Sequence, residues 1–333
     1  MTQALERRRR VARVAISAVA TAAMLGFVAS RVGVRRLGEA LALVDPAAAT
    51  LLVAWNAILH ALVPAEKWRR ILRHLGFELS LRDTLVIWLG CQPLRFTLPL
   101  KSGEIFKVVY LERVHGVPPA VGAWAVLFDK LANIVALVTL GAAGLLWAPL
   151  GGRASVAIVV LLALGPLLLA RAAPAWLARA LERIPGRLGR FVRDLVGAVS
   201  RLSVGVRLGF LGVSALQALA EGVSFALCLH ALGASVPLVD ALVRTPLVIL
   251  LANLPVTLSG IGTRELGMLL LFAPYGRAET LAAAGLVLSF VGPVLLVLLG
   301  APFVGRFFAA TFARTAATGE ALEMESLDAS PRA

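Results

Sequence analysis

Apolar residues run along this chain in long unbroken stretches, without the strict alternation of a half-buried strand. Six of them, Val11–Ala29, Pro46–Val63, Val117–Trp147, Ala154–Ala170, Leu208–Leu232 and Thr280–Val304, approach or exceed the length of a membrane span. About 20 apolar residues rising 1.5 Å each cross roughly 30 Å of hydrocarbon. A transmembrane barrel would need short alternating segments, and these stretches do not alternate. Two further apolar stretches are broken midway. Thr84–Leu100 leads into the amphipathic Glu104–Val114 across Pro99 and Gly103, and Ala241–Pro255 leads into Glu265–Phe272 across Pro255, Gly260 and Gly262. A helix cannot run through such breaks without losing backbone hydrogen bonds. In lipid the freed groups are tolerated only where protein or a water-filled cavity satisfies them.

Each broken stretch therefore reads as a re-entrant helical hairpin with its tip inside the membrane. The expected fold is an all-α polytopic membrane protein with about six full spans plus two re-entrant helical hairpins in an inverted repeat. Its halves, about 46–150 and 205–305, would be joined by the basic loop 171–207 within a single integral membrane domain, 1–310. A short polar tail, 311–333, would follow. Inverted repeats of broken helices place a binding site between their tips in many secondary transporters.

Composition agrees with lipid as the solvent. Hydrophobic residues make up 59% of the 333 and charged residues 16%, against roughly 45–50% and about 25% in soluble domains. The net charge of +14 follows from its distribution and does not call for nucleic acid as a partner. With the N-terminus inside, Arg7–Arg10 and Arg13, a loop carrying Lys67, Arg69, Arg70, Arg73 and Arg82, eight arginines from Arg171 to Arg207, and Arg306, Arg314 and Arg332 all fall on the cytoplasmic side. Only Arg31, Arg35, Arg36, Arg153, Arg244 and Arg277 fall outside. This is the positive-inside skew, and it predicts an inner (cytoplasmic) membrane protein with both termini in the cytoplasm. Val11–Ala29 is longer than a signal-peptide core, which favours an uncleaved first helix. Cys91 and Cys228 lack CxxC spacing, and the four histidines lack paired spacing, so neither a metal nor another cofactor is expected.

Six basic residues remain within the hairpins or a span: Arg95, Lys101, Lys107, Arg113, Lys130 and Arg264. Glu104, Glu112, Asp129, Glu221 and Glu265 accompany them. A charge at the bilayer centre costs roughly 2.5–3.5 kcal/mol on insertion scales, so such groups pair or line a cavity. At the tips, Ser102 before Gly103-Glu104 and Ser259-Gly260-Ile261-Gly262-Thr263 before Arg264-Glu265 read as helix starts. Their glycines would leave backbone N–H groups facing a ligand, and the helix dipoles would favour an anion. The candidate site is therefore Arg95, Lys101, Gly103, Glu104, Lys107, Asp129, Lys130, Gly260, Gly262, Arg264 and Glu265. A purely structural role for these charges, neutralising one another and locking the hairpins, is compatible with ligand binding.

The run Pro99-Leu-Lys-Ser-Gly103-Glu104-Ile-Phe-Lys107, followed by Leu111-Glu-Arg113, Gly116-Val-Pro118 and Asp129-Lys130, resembles the lysylphosphatidylglycerol synthase transmembrane family, also called flippase-like. Pro255-Val-Thr-Leu-Ser-Gly260-Ile-Gly262-Thr-Arg264-Glu265 resembles its second signature, with Ser259 in place of a glycine. The resemblance spans about residues 10–310. It implies a membrane domain that binds lipids and helps move them between leaflets, with lipid-biosynthesis enzymes as possible partners. The short segment after Arg306 is too small for the aminoacyl-transfer domain of full-length synthases, so synthase activity is not expected.

Two other functions compete with a flippase or transporter of an anionic or isoprenoid-linked lipid. One is an integral-membrane polyprenyl-diphosphate phosphatase, suggested by Ala220-Glu221-Gly222. The serine pair and second carboxylate that hydrolysis would need are missing from Val223–Ala234, so the chain is not expected to be an enzyme. The other is a secondary transporter of a small anion, which the same tips would serve.

Overall fold

The computed structural model describes residues 45–97, 103–147, 201–254, 257 and 260–309, with isolated positions 35, 39, 42, 186, 189 and 190. The expected spans Val11–Ala29 and Ala154–Ala170 lie outside them, as do Lys101, Ser102 and Ser259. Every element among the described residues is helical. In chain order these are α1 (Pro46–Ala57), a π turn (Ile58–Leu62), α2 (Val63–His74), α3 (Leu81–Gly90), α4 (Gln92–Thr97), α5 (Ile105–His115), α6 (Pro119–Trp147), α7 (Val204–Ala231), α8 (Leu238–Asn253), α9 (Thr263–Leu271), a 3-10 turn (Ala273–Tyr275) and α10 (Ala278–Ser289). A second π turn, Phe290–Val294, carries α10 on toward Ala309.

Among the described residues, four continuous helices are long and apolar enough to cross a membrane: Pro46–His74, Pro119–Gly144, Val204–Ala231 and Ala278–Ala309. Their starts are set locally. Asp45 accepts from the amides of Ala47 and Ala48, with Pro46 at the first helical position, and Ser203 accepts from the Val206 amide to open α7. Both arrangements satisfy donors that a helix start leaves free.

The first span corrects the sequence reading. Helix continues through α2 to His74, so Lys67, Arg69, Arg70 and Arg73 lie on a helix and not in a loop. Lys67 is only 2% exposed. Pro64, Lys67, Trp68, Ile71, Leu72 and Leu75 form one buried stripe at helical spacing, and the lysine sits inside it.

Both broken segments fold back on themselves. In the first, Gly103 meets the backbone of Leu94 and Arg95, and Lys107 lies over Trp88. In the second, Gly260 meets Ala252, Gly267 meets Val248 and Leu251, and Arg244 donates to the Leu271 carbonyl. Partners on one arm rise in number as those on the other fall, so the arms of each pair are antiparallel. The first-arm helix of the first segment is itself interrupted at Cys91, between α3 and α4.

The halves also begin alike. After α2, Gly76 and Phe77 donate to Arg73 and Leu72, and after α7, Gly233 and Ala234 donate to His230 and Leu229. These are the same two-bond helix stops, each on a glycine with positive φ. Leu81 and Asp83 then follow Gly76 at the spacing by which Leu238 and Asp240 follow Gly233. The leading spans run in opposite directions. Trp55 bonds Ala220, Lys67 bonds Ser214 and Arg201 bonds Leu75.

Glycine notches join the halves. A Cβ on Gly144 would strike the Val243 carbonyl, and one on Gly141 would meet Leu247 at 2.8 Å. Gly300 likewise has the Leu89 carbonyl against it. Small residues allow such close helix approach where lipid supplies no hydrophobic drive. Gly144→Ala should therefore lower the melting temperature of the purified protein, because the carbonyl it meets is backbone and overpacking of this kind costs about 1–3 kcal/mol. Gly212→Ala, with nothing within 4 Å, should leave it unchanged or slightly raised. Thermal unfolding followed in detergent compares the two.

Candidate functional site

Glu104 stands at the N-cap of α5, and no side chain caps that helix. Gly103 lets it come this close to the opposite arm, because a Cβ there would overlap the backbone of Arg95. Three cations converge on the Glu104 carboxylate. Lys107 Nζ is 2.6 Å from Oε2, while Lys130 Nζ and Arg95 Nε are 2.8 and 3.5 Å from Oε1. Lys107 is fully buried. Its ammonium lies 3.8 Å from the Trp88 ring centroid and 5.1 Å from that of Trp68, so ring faces complete what one carboxylate oxygen begins. One negative charge thus faces three positive ones.

Asp129 does not join this group. Its Oδ1 lies 2.7 Å from Lys67 Nζ, which also donates to Asn133 and Ser214 at 2.8 Å each. The pair is buried on both sides and fills the donor capacity of the lysine. It ties α2 to α6 and α7.

The second tip is organised differently. Glu265 is completely buried. One of its oxygens accepts from the Gly262 amide and the other from Ser289 Oγ at 2.8 Å. Arg264 Nη1 donates to Ser289 Oγ and to the Leu288 carbonyl, both at 3.1 Å. Glu265 therefore holds Arg264 only through Ser289. The Gly262 amide, expected to face a ligand, is occupied by Glu265 instead. Gly260 (φ +81°) is required by its approach to the Ala252 carbonyl. Ser289 is the last residue of α10, immediately before the π turn.

Between the tips lies a cavity of about 700 Å³. Arg95 and Glu104 reach it from the first hairpin, Lys130 from α6, and Asn253 and Arg264 from the second hairpin. Glu221, Gln217 and Ser214 line it from α7, and Asn56 and His60 from the first span. Of the sequence-derived site residues, Arg95, Glu104, Lys130 and Arg264 line this space. Lys107, Asp129 and Glu265 lie behind it, Gly103, Gly260 and Gly262 shape the tips, and Lys101 is outside the described residues. Trp88 was missed by the sequence reading. Its indole donates to the His60 carbonyl at 2.8 Å, within the π turn.

A family model described as lysylphosphatidylglycerol synthase TM region matches residues 10–300. The chain belongs to this family. As a member of the lysylphosphatidylglycerol synthase TM family it is a membrane protein, and the family points to lipid metabolism or transport. No curated protein matches the chain. In this family member, the signal that marks Lys67 is its place in an apolar helical stripe. The signal for Trp88 is weaker, since one aromatic among many gives no hint of the cation above it.

Asp129→Asn should destabilise this protein by about 3–5 kcal/mol, because it leaves the buried Lys67 ammonium without its counter-charge. Lys67→Met combined with Asp129→Asn should recover much of the loss, since no charge then remains buried there. Melting curves of the two single variants and the double variant in detergent give the coupling. Equal melting of Asp129→Asn and the double variant would exclude it.

Proposed function

We propose that the protein binds the anionic head group of a membrane lipid, phospholipid or isoprenoid-linked, in the cavity between the hairpin tips and moves it between leaflets. The observation that carries this reading is the charge imbalance at Glu104. Arg95, Lys107 and Lys130 share one carboxylate, Asp129 is committed to Lys67, and Arg264 reaches its neighbouring acid only through Ser289. Two of the cations around Glu104, together with Arg264, line a space of head-group size. A site of low dielectric that holds excess positive charge favours an anion.

The two folded-back segments then serve as re-entrant hairpins of an inverted repeat, entering from opposite faces of an inner membrane, with both termini cytoplasmic. The opposed directions of the leading spans and the repeated helix stops support that arrangement. Exposed apolar residues such as Leu51, Leu216 and Leu298 suit contact with lipid chains, which would stay in the bilayer while the head group enters. No chemistry on the lipid is proposed. The cavity offers positioned cations and amides in place of an activated nucleophile.

Lipid binding is tested with the purified protein and a head-group-labelled phosphatidylglycerol. A charge-assisted hydrogen bond contributes roughly 1.5–3 kcal/mol, so Arg264→Gln and Lys130→Gln should each weaken binding about tenfold to a hundredfold and slow translocation in proteoliposomes. Leu216→Ala, on the outer surface, should do neither. Equal binding and transport by both charge variants would reject the site. Displacement of the probe by inorganic phosphate at equal concentration would make the cargo a small anion.

Topology has its own test. In a background lacking Cys91 and Cys228, an impermeant thiol reagent should label cysteines at Arg82 and Gly116 only from the cytoplasm. Cysteines at Ser235 and Arg277 should be labelled only from outside. Opposite-side labelling of the two ends of either segment would make that segment a span.

A further inference from the structure

Glu221 is the exception among the deep acids. Glu104 is held by Lys107 and Lys130, Asp129 by Lys67, and Glu265 by the Gly262 amide and Ser289. Glu221 lies well inside α7 (Val204–Ala231), about 25 Å from its start and about 15 Å from its end at 1.5 Å per residue. It lines the cavity. Among the described residues it accepts no hydrogen bond and has no basic group within 4.0 Å.

A carboxylate left unpaired at such a depth is costly, and protonation removes the cost. The titratable and charged groups that share its cavity are His60 from the π turn, Arg95 and Glu104 from the first hairpin, Lys130 from α6 and Arg264 from the second hairpin. From α8 and α10 the lining is neutral. His60 is engaged with Asn56 Oδ1 at 3.2 Å. When ionised, Glu221 competes with any anion for the same cations and repels it. When protonated, it does neither.

We infer that Glu221 is a proton-binding site linked to the cargo, so that the cavity takes up one proton with each anionic head group and releases the two together. The proton passes from hydronium to a Glu221 carboxylate oxygen, leaving water, and returns to water on release. This rests on the lipid-binding reading above and supplies what that reading lacks, a source of direction. Linkage is reciprocal: whatever the proton adds to head-group affinity, the head group adds to proton affinity. A difference in pH across the membrane then drives net lipid movement toward the more alkaline side.

The experiment uses the whole protein in nanodiscs of neutral lipid, with labelled phosphatidylglycerol as probe, since its phosphate stays ionised throughout the range. Wild-type affinity should fall about tenfold per pH unit above the Glu221 titration, as one linked proton requires. Glu221→Gln, a neutral side chain of the same shape, should bind tightly with no such step. Infrared difference spectra recorded on acidification without probe should show a protonated-carboxyl band in the wild type that is missing from Glu221→Gln. A pH step that persists in Glu221→Gln overturns the inference, as does one that His60→Gln removes while Glu221→Gln retains it. Dependence on sodium at fixed pH overturns it as well. If the infrared band titrates as expected but no probe binds at any pH, the proton site stands and the lipid reading falls.

Discussion

Burying the Lys107 ammonium completely is the constraint around which the cavity wall is built. An isolated ammonium at that depth would lose its proton or force the helix apart. Here the Glu104 carboxylate faces it on one side and the rings of Trp88 and Trp68 on the other. Trp68 must then come from the first span, which requires helix to continue through α2 past the last purely apolar residue. Trp88 must come from the first arm of the hairpin, and its indole reaches the carbonyl of His60 in the π turn. A single buried charge therefore fixes the register of three helices. Because Glu104 also meets Arg95 and Lys130, the same carboxylate connects the closed interior to the open cavity.

The two tips solve one problem by different means. Each brings a carboxylate to the head of its returning helix, and each uses a glycine where the arms touch. In the first, the carboxylate meets three cations directly and shares its charge among them. In the second, Glu265 turns back on its own helix start and reaches Arg264 through a hydroxyl. The guanidinium lines the cavity and is held by the Leu288 carbonyl and Ser289. A site assembled from both has one diffuse positive region and one directional fork, a combination that orients an anion as well as attracting it.

Long apolar runs and Pro/Gly breaks made the helices legible, because the cost of unsatisfied backbone in lipid leaves few alternatives. Arg95, Glu104, Lys130 and Arg264 were legible for the same reason: a charge within an apolar segment needs an explanation. Two kinds of information were not legible. Pairing was one, since the partner of Asp129 is sixty-two residues earlier, in a segment whose arginines made it look like a loop. The other was the use of backbone groups. Nothing in Ser259–Glu265 distinguishes an amide left free for a ligand from one taken by the glutamate three residues on. The likeness of the two leading segments was more visible than their tips suggested, because Leu81 and Asp83 follow Leu75-Gly76 at the spacing by which Leu238 and Asp240 follow Leu232-Gly233.

The glycine notches bear on how the chain is made. Gly144, near the end of the first half, receives the Val243 carbonyl of the second hairpin, and Gly300, in the final helix, receives the Leu89 carbonyl of the first. Each half thus supplies the seat for the other's hairpin, and neither half is complete on its own. During synthesis the first hairpin emerges long before its seat. It must wait through the synthesis of about two hundred residues, at 5–20 residues per second an interval of roughly 10–40 seconds, until the last helix has left the ribosome. For that interval the Leu89 side of the hairpin is open, and whatever covers it acts before the protein has its native shape.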